Sequence, residues 1–437
     1  MDMEVTAMAA EEPRMCRFAY SLIVVLLLMP ALSEAADVNY EFRAGVIYSD
    51  NIRRTDVGTE DQTIAILGFS IDMSGESKRF EGSLAVDLEY LDYLDDVFDQ
   101  ELLPEVDAMA LFKLAPDIFE WVFNYKLGVI NRDPFGVDTA INRENINVFS
   151  TGPKLSLKLG SRTSIDLEGR YRDTSFEISN SDNSTVGGRL SLVRALTPKR
   201  SLSANVSADR IEFDDIDLYG AFDRLSAYIG FSSRVSRGDI SIQLGINELH
   251  DAGETFSGTL ASIAWNRRIS EISTVAFRYD RRFSDAGNFF KDFDNIGEQP
   301  GSPGGTIPIA DPFENRSTSI SYNYERNRTN LSVSAYFSED QYQTATQFDS
   351  INTGGSLNVS RHFGSGWVAQ LGLSFGRRNF DNADREDDYR LATVGLAKQI
   401  TRTLTLNLTY NRNERASNIA LAEYVENRVS LTISYAN

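Results

Sequence analysis

The stretch that decides the fold is RTLTLNLTYNR, Arg402–Arg412. Leu404, Leu406, Leu408 and Tyr410 alternate with Thr405, Asn407, Thr409 and Asn411. An apolar residue at every second position is the signature of a strand with one dry face and one wet face. The pattern recurs upstream. Leu84, Val86, Leu88 and Tyr90 alternate with Ser83, Ala85, Asp87 and Glu89; Phe119, Trp121, Phe123 and Tyr125 with Glu120, Val122, Asn124 and Lys126. Ile165, Leu167, Gly169 and Tyr171 alternate with Asp166, Glu168, Arg170 and Arg172. Val429, Leu431, Ile433 and Tyr435 close the chain in the same manner.

The chain has 437 residues, 42% hydrophobic and 24% charged, with a mean hydropathy of -0.28. A membrane helix needs roughly 20 apolar residues in a row. Only Phe18–Leu32, FAYSLIVVLLLMPAL, comes near that. Arg14 and Arg17 precede it and Ser33-Glu34-Ala35 follows, the layout of a secretory leader, so we expect a signal peptide over 1–35 with cleavage after Ala35. The acidic residues ahead of Met15 leave Met1 and Met15 both open as the start. Cys16 lies on the basic side of the apolar run, so the mature chain has no cysteine and two histidines, His250 and His362. Disulfides are excluded, and a metal centre built on Cys or His nearly so; no metal and no cofactor is expected. Net charge is -20; the leader holds five carboxylates against two arginines, leaving about -17 for the mature chain. Such an acidic exported chain is a poor nucleic-acid binder.

Turn residues divide positions 36–437 at two alternating scales. Short turns fall at Ser74–Lys78, Ala115–Asp117, Gly160–Arg162, Thr197–Arg200, Ser236–Gly238, Ser270–Ile272, Asn327–Thr329, Gly364–Gly366 and Thr401–Arg402. Longer polar connections lie between them, such as Asp92–Pro104, Asn131–Glu144 and Asp381–Asp388. The count is about 20 strands, or 18 if neighbouring segments merge, with both termini at the short-turn end. Strands of roughly 9–11 residues suit a tilted membrane crossing, whereas those of a soluble sandwich average nearer 5–6. Short turns at one end and long loops at the other are the plan of outer-membrane barrels. Aromatics end the apolar face of strands running toward the long loops: Tyr48, Tyr90, Tyr125, Tyr171, Tyr279, Phe337, Phe375 and Tyr410. Such a row reads as an interfacial girdle. The expectation is therefore one all-β domain, a transmembrane antiparallel up-and-down β-barrel. Lipid cannot satisfy a sheet edge, so the barrel must close, with Asn39–Asp50 pairing Asn427–Tyr435. Pro153 removes a ladder donor, which predicts a bulge or an early strand start there.

Three stretches carry a resemblance: YEFRAGVIYSDNIRRT (Tyr40–Thr55), NVFSTGPKLSLKLGSRTSIDLEGRYRDTSFE (Asn147–Glu177) and RALTPKRSLSANVSADRIEFDD (Arg194–Asp215). They resemble the β-barrel porin type 2 family, in an opening strand with Tyr-Ser-Asp-Asn, a Gly-Pro before a central hairpin, and a Leu-Thr-Pro turn. The resemblance implies an outer-membrane barrel of a Gram-negative bacterium, in a family that includes proteins encoded with exopolysaccharide and PEP-CTERM exosortase systems. It carries over no catalytic residues. The chain departs from common barrels in ending SYAN, with Tyr435 third from last.

The inward faces carry charge of both signs: Glu41, Arg43, Asp87, Glu89, Glu120, Lys126, Lys154, Lys158, Asp166, Glu168, Arg170, Arg172 and Arg189. Lone charges are not buried dry. Either water fills the lumen and these groups set ion preference, or they pair into a neutral wall. The longest connection, Ser284–Glu314, reads as an outer loop or as a constriction folded inward, with Phe289, Phe290 and Phe293 touching sugar or wall. His250-Asp251 sits at a strand–loop junction where a rim hydrolase could place a general base, yet no partner nucleophile is recognisable. The Asp-rich loops, such as Phe213–Gly220, read first as solvated surface.

Three functions stay open on this reading. The first is a porin-like channel linked to exopolysaccharide export or surface-polysaccharide biosynthesis. The second is a non-conducting structural or anchoring protein of such a system. The third and weakest is a rim hydrolase, so no enzyme is expected. The partners expected are outer-membrane lipid and lipopolysaccharide, the barrel-assembly machinery, and polysaccharide or small solutes.

Overall fold

The computed structural model describes residues 37–215, 220–251, 253–292 and 311–437. The leader and Phe293 lie outside the described residues. Twenty strands follow one another. They are β1 Asp37–Ser49, β2 Gln62–Glu76, β3 Phe80–Tyr93, β4 Glu101–Ala115, β5 Phe119–Asn131, β6 Arg143–Lys158, β7 Thr163–Phe176, β8 Asn183–Thr197, β9 Arg200–Phe213 and β10 Phe222–Val235. The second half comprises β11 Gly238–Asp251, β12 Glu254–Ser270, β13 Ser273–Ser284, β14 Phe313–Arg326, β15 Thr329–Tyr342, β16 Ser350–His362, β17 Trp367–Phe380, β18 Arg385–Gln399, β19 Leu404–Ser417 and β20 Tyr424–Ala436. One helix, α1 (Ala286–Asp292), follows β13.

Each strand pairs antiparallel with the next, and β1 pairs with β20 from Glu41↔Ala436 to Ser49↔Arg428. The sheet is therefore a closed barrel with no free edge, as the alternation requires. Short hairpins use residues that tolerate positive φ: Asp117, Asn327 and Ser365 at +64°, +52° and +64°. Strands are 12 to 17 residues long, longer than the crossing of roughly 9–11. Their loop-side ends anchor the loops described below.

Side chains divide by register. Phe42, Leu67, Val186, Ile229 and Phe375 face outward and are exposed, which only a lipid surrounding stabilises over so wide an area. Arg43 and Asp87, on the opposite register, face the lumen and meet at 2.7 Å.

Two expectations need correction. The alternation of short and long connections breaks at β11–β12. There β11 ends at Asp251 and β12 begins at Glu254, and Gly253 at φ +89° makes a tight hairpin on the loop side. Pro153 brings neither a bulge nor an early start. Strand β6 runs through it, the pairs of Gly152 and Pro153 with β7 lapse, and the register is the same on either side. Gly169, opposite Pro153, and Gly152 beside that proline make this cheap: a Cβ on Gly152 would stand 2.0 Å from the Gly169 carbonyl oxygen. The strands close together there instead of looping out.

Candidate functional site

The lumen is divided between space and packing. A cavity of about 2200 Å³ runs from the short-turn residues Glu271, Ile272 and Asn327 up to Arg54, Arg143, Phe290 and Glu426. On β14 to β19 its wall is small and polar, including Ser319, Ser321, Ser334, Ser356, Asn358, Thr393 and Asn411. Ser334 and Ser356 hydroxyls meet at 2.7 Å. On β3 to β6 its wall is charged, with Asp87, Glu89, Glu105, Lys126 and Arg143. Short inward side chains on one arc leave the room that long side chains and loops occupy on the other.

The inward charges proposed from sequence are largely paired across strands. Besides Arg43–Asp87, Lys154 meets Glu120 at 3.2 Å, Arg189 meets Glu168 at 3.7 Å, and Lys158, at the short-turn end, meets Asp117 at 3.9 Å. Glu41, Asp166 and Arg170 are half-buried on the inward register of β1 and β7. Of this set, Asp87, Glu89 and Lys126 line the cavity.

Arg172 has a different part. It is 1% exposed, and its Nη2 donates to Asp285 Oδ1 at 2.8 Å. Arg224, on β10, donates from Nη1 to Asp285 Oδ2 at 3.0 Å and from Nη2 to Asp209 at 3.2 Å. Asp285 thus spans two arginines on different strands, and its Oδ1 also caps the start of α1 through the Asn288 N–H at 3.0 Å. Arg172 also donates to the Asn288 side chain. Burial alone would raise the Asp285 carboxyl, but Arg172 and Arg224 outweigh it and hold it below its ordinary range. Further along α1, Phe290 sits in an apolar seat of Ile130, Ile146, Val148 and Phe176. The Lys126 ammonium lies 5.3 Å from its ring centre. Two glycines admit this element: a Cβ on Gly287 would meet Thr174 Oγ1 at 2.5 Å, and one on Gly128 would meet the Phe290 ring at 3.0 Å. The first part of the long loop therefore lies inside the barrel against β5 to β8 and β10. The side chain of Phe289, like Phe293, is outside what is described.

A second inward loop, residues 132–142 between β5 and β6, crosses to the opposite wall. Asp138 accepts from Arg54 at 3.1 Å and from Arg143 at 2.8 Å. Arg54 is also bonded to Glu426 at 2.9 Å. Arg385 donates to the Phe135 carbonyl at 2.7 Å, and Arg415 to the Gly136 carbonyl at 3.1 Å and to Asp387 at 2.7 Å. The Phe135 ring packs against Phe348 and Phe380 at 5.1 and 4.8 Å. Burial works against the Asp138 carboxylate, but Arg143 and Arg54 keep it charged. Sequence reasoning missed Arg54, Asp138, Arg224, Asp285, Arg385 and Arg415. Register alone points Arg224 inward beside Asp209; the contacts of 135 and 136, about 250 to 280 positions from their arginines, carry no local signal.

The aromatics proposed as a girdle all lie on the outward register. Tyr48, Tyr171, Phe375 and Tyr410 are exposed, and Tyr90, Tyr279 and Phe337 are half-buried. Tyr125 differs, being 1% exposed. Leu84, Val106, Ala108 and Phe149 cover it on the outer face. His250 bonds the Thr255 hydroxyl at 3.0 Å and approaches Glu248 at 3.9 Å. Among the described residues no cluster of His, Cys, Asp and Glu has the makings of a metal site.

Residues 327–437, which hold β15 to β20, match the family described as "Putative beta-barrel porin 2". Among solved structures, the chain is similar to the FrpB iron transporter from Neisseria meningitidis (F3-3 variant). That protein is 12% identical with a TM-score of 0.47, and the match covers 94% of this chain and 83% of that one. The copper transporter OprC is 11% identical with a TM-score of 0.46, covering 93% and 81%. The siderophore receptor PirA from Acinetobacter baumannii is 9% identical with a TM-score of 0.47, again covering 93% and 81%. No curated protein sequence matches the chain. The chain is a closed twenty-strand antiparallel β-barrel whose last six strands match a porin-like family.

Proposed function

We propose that the barrel is a channel of the Gram-negative outer membrane that fills from its periplasmic end and rests closed beneath two inward loops. The supporting observation is the cavity. It takes in the short-turn residues, has one wall of hydroxyls and amides, and ends at Arg54, Arg143 and Glu426. In barrels of this plan short turns face the periplasm. A wall of Ser, Thr and Asn suits a hydroxylated solute, and the resemblance to barrels encoded with exopolysaccharide systems supports surface polysaccharide as the cargo. The charged arc opposite, paired as it is, orients polar solutes more than it selects an ion sign. The barrel works without covalent chemistry, reaching the membrane after removal of the leader near Ala35.

Planar-bilayer conductance tests this reading. The wild type should give rare, small openings. A chain lacking 286–310 should give large, steady ones that oligosaccharide blocks from the short-turn side. Silence of both folded proteins would overturn it. The loops' buried ion pairs favour one rival, a permanently closed anchoring protein, and that silence is what the rival expects. The rim-hydrolase reading has little support, since His250 contacts a hydroxyl and a carboxylate on neighbouring positions of its own sheet face.

A further inference from the structure

The outward face carries a second pattern above the aromatics. Two residues on in the same strand, and so on the same face, Tyr279 is followed by Arg281, Phe375 by Arg377 and Tyr410 by Arg412. On β3 and β7 the same step gives a carboxylate, Asp92 after Tyr90 and Asp173 after Tyr171, and Asp50 follows Tyr48 just past the end of β1. The β13–β19 arc thus carries arginines above its aromatics, of which Arg281 pairs with Glu314, and Arg377 with Glu386 and Asp388 at 3.0 and 2.8 Å.

The densest point is on β17 to β20. Arg390 stands opposite Phe375 on one side and Glu414 on the other. Arg412 stands opposite Asn427, whose amide oxygen also accepts from the Tyr410 hydroxyl at 2.7 Å. Arg390 and Arg412 share one carboxylate, Glu414, at 3.1 and 3.5 Å. The side chains of Arg390 and Arg412 are 64% and 46% exposed, while Glu414 beneath them is 27% exposed. Two guanidinium groups share the single carboxylate of Glu414, and although Arg412 Nη1 also donates to the Asn427 amide oxygen at 3.4 Å, each arginine has more N–H donors than these contacts use. Below them Val394, Leu396, Leu408, Val429 and Leu431 form an exposed aliphatic surface. A forked cation above an aromatic collar, with aliphatic wall beneath, is the chemistry that recognises a phosphate carried on acyl chains.

We propose that Arg390 and Arg412 bind the phosphate of a phosphorylated glycolipid in the outer leaflet, with its acyl chains along Val394, Leu396, Leu408 and Val429. This rests on the membrane reading and not on conduction, so a barrel that passes no current leaves it standing.

Native mass spectrometry of the folded full-length barrel in detergent tests it, with bisphosphorylated lipid A, dephosphorylated lipid A and inorganic phosphate as separate probes. Wild type should retain lipid A, and R390Q/R412Q should weaken it about tenfold, as expected for loss of charge-assisted bonds. R390K/R412K should retain part of the binding, and R210Q, outside the arc, all of it. Folding of each variant is read from heat-modifiable gel migration. Equal lipid A retention by R390Q/R412Q, or equally tight binding of the dephosphorylated lipid, overturns the proposal. Displacement of lipid A by inorganic phosphate would overturn it in favour of a free-anion site.

Discussion

At the scale of single residues, Asp285 is the point on which the hold on α1 turns. Breaking a buried ion pair by removing one partner typically costs about 3–5 kcal/mol, because the other charge is left unsolvated. Here Asp285→Asn takes the carboxylate from Arg172 and leaves Arg224 with Asp209 alone. The strand ladder does not depend on Asp285, so the loss should appear as release of α1 and not as unfolding of the barrel. D285N should raise open probability in bilayers and expose residues 286–292 to hydrogen exchange, while heat-modifiable migration stays as in wild type. Unchanged exchange at α1 would refute the latch. Acid should act on the same group. The Asp285 carboxyl titrates below its ordinary value in the folded protein. The stabilisation is therefore complete above the usual aspartate range and is lost as pH falls through the lower folded value. Opening by acid should thus occur only below the ordinary aspartate range, and D285N should abolish that pH step. Gly128 gives an independent check. Val at this position puts methyl groups where the Phe290 ring lies, within 3.0 Å of the new Cβ. G128V should loosen α1 with Asp285 intact.

At the scale of elements, loop 132–142 and helix α1 are held at opposite walls of the lumen. Phe135 is the apolar part of the loop's hold, stacked on Phe348 and edged by Phe380. Each aromatic pair contributes about 0.5–1.5 kcal/mol beyond its buried area, and the guanidinium of Arg385 lies over the same ring at 5.4 Å. F135A should therefore increase proteolysis within 132–142 and add a second conductance level distinct from that of D285N. Identical levels for the two variants would mean that the loops move as one. Strands and turns are legible in sequence because their cause is local: alternation sets the face, and Asp117 or Asn327 sets the turn. The inward charges are legible from register, and so is their pairing as one of two outcomes. The seats of the loops are not, because Arg415 and Gly136 meet only after the barrel has brought β19 across from the β5–β6 connection. Pro153 misleads for a related reason. Its effect depends on Gly169, a neighbour across the ladder, where a missing Cβ lets the chains close without a bulge.

At the scale of the whole molecule, everything above depends on one seam. Strand β1 pairs with β2 over Asp37–Ser49 but with β20 only over Glu41–Ser49. It is also the one junction whose partners lie at opposite ends of the chain, so its closure costs the most loop entropy. Gly45 lies in that seam, where a Cβ would stand 2.3 Å from the Leu431 carbonyl oxygen. The backbones approach closely there, and a side chain must force them apart. Overpacking of this kind costs about 1–3 kcal/mol, and here it weakens the bonds that keep the sheet without an edge in lipid. G45V should lower the temperature at which the folded gel band converts to the unfolded one, and should slow assembly into vesicles. Gly160, in the β6–β7 turn, has open space where a Cβ would stand, with nothing within 4 Å. G160A should therefore leave both measurements within the roughly ±0.5 kcal/mol of a neutral surface change. If G45V melted with wild type while G152V, at the interior β6–β7 contact, melted early, the weakest junction would be that glycine pair and not the seam.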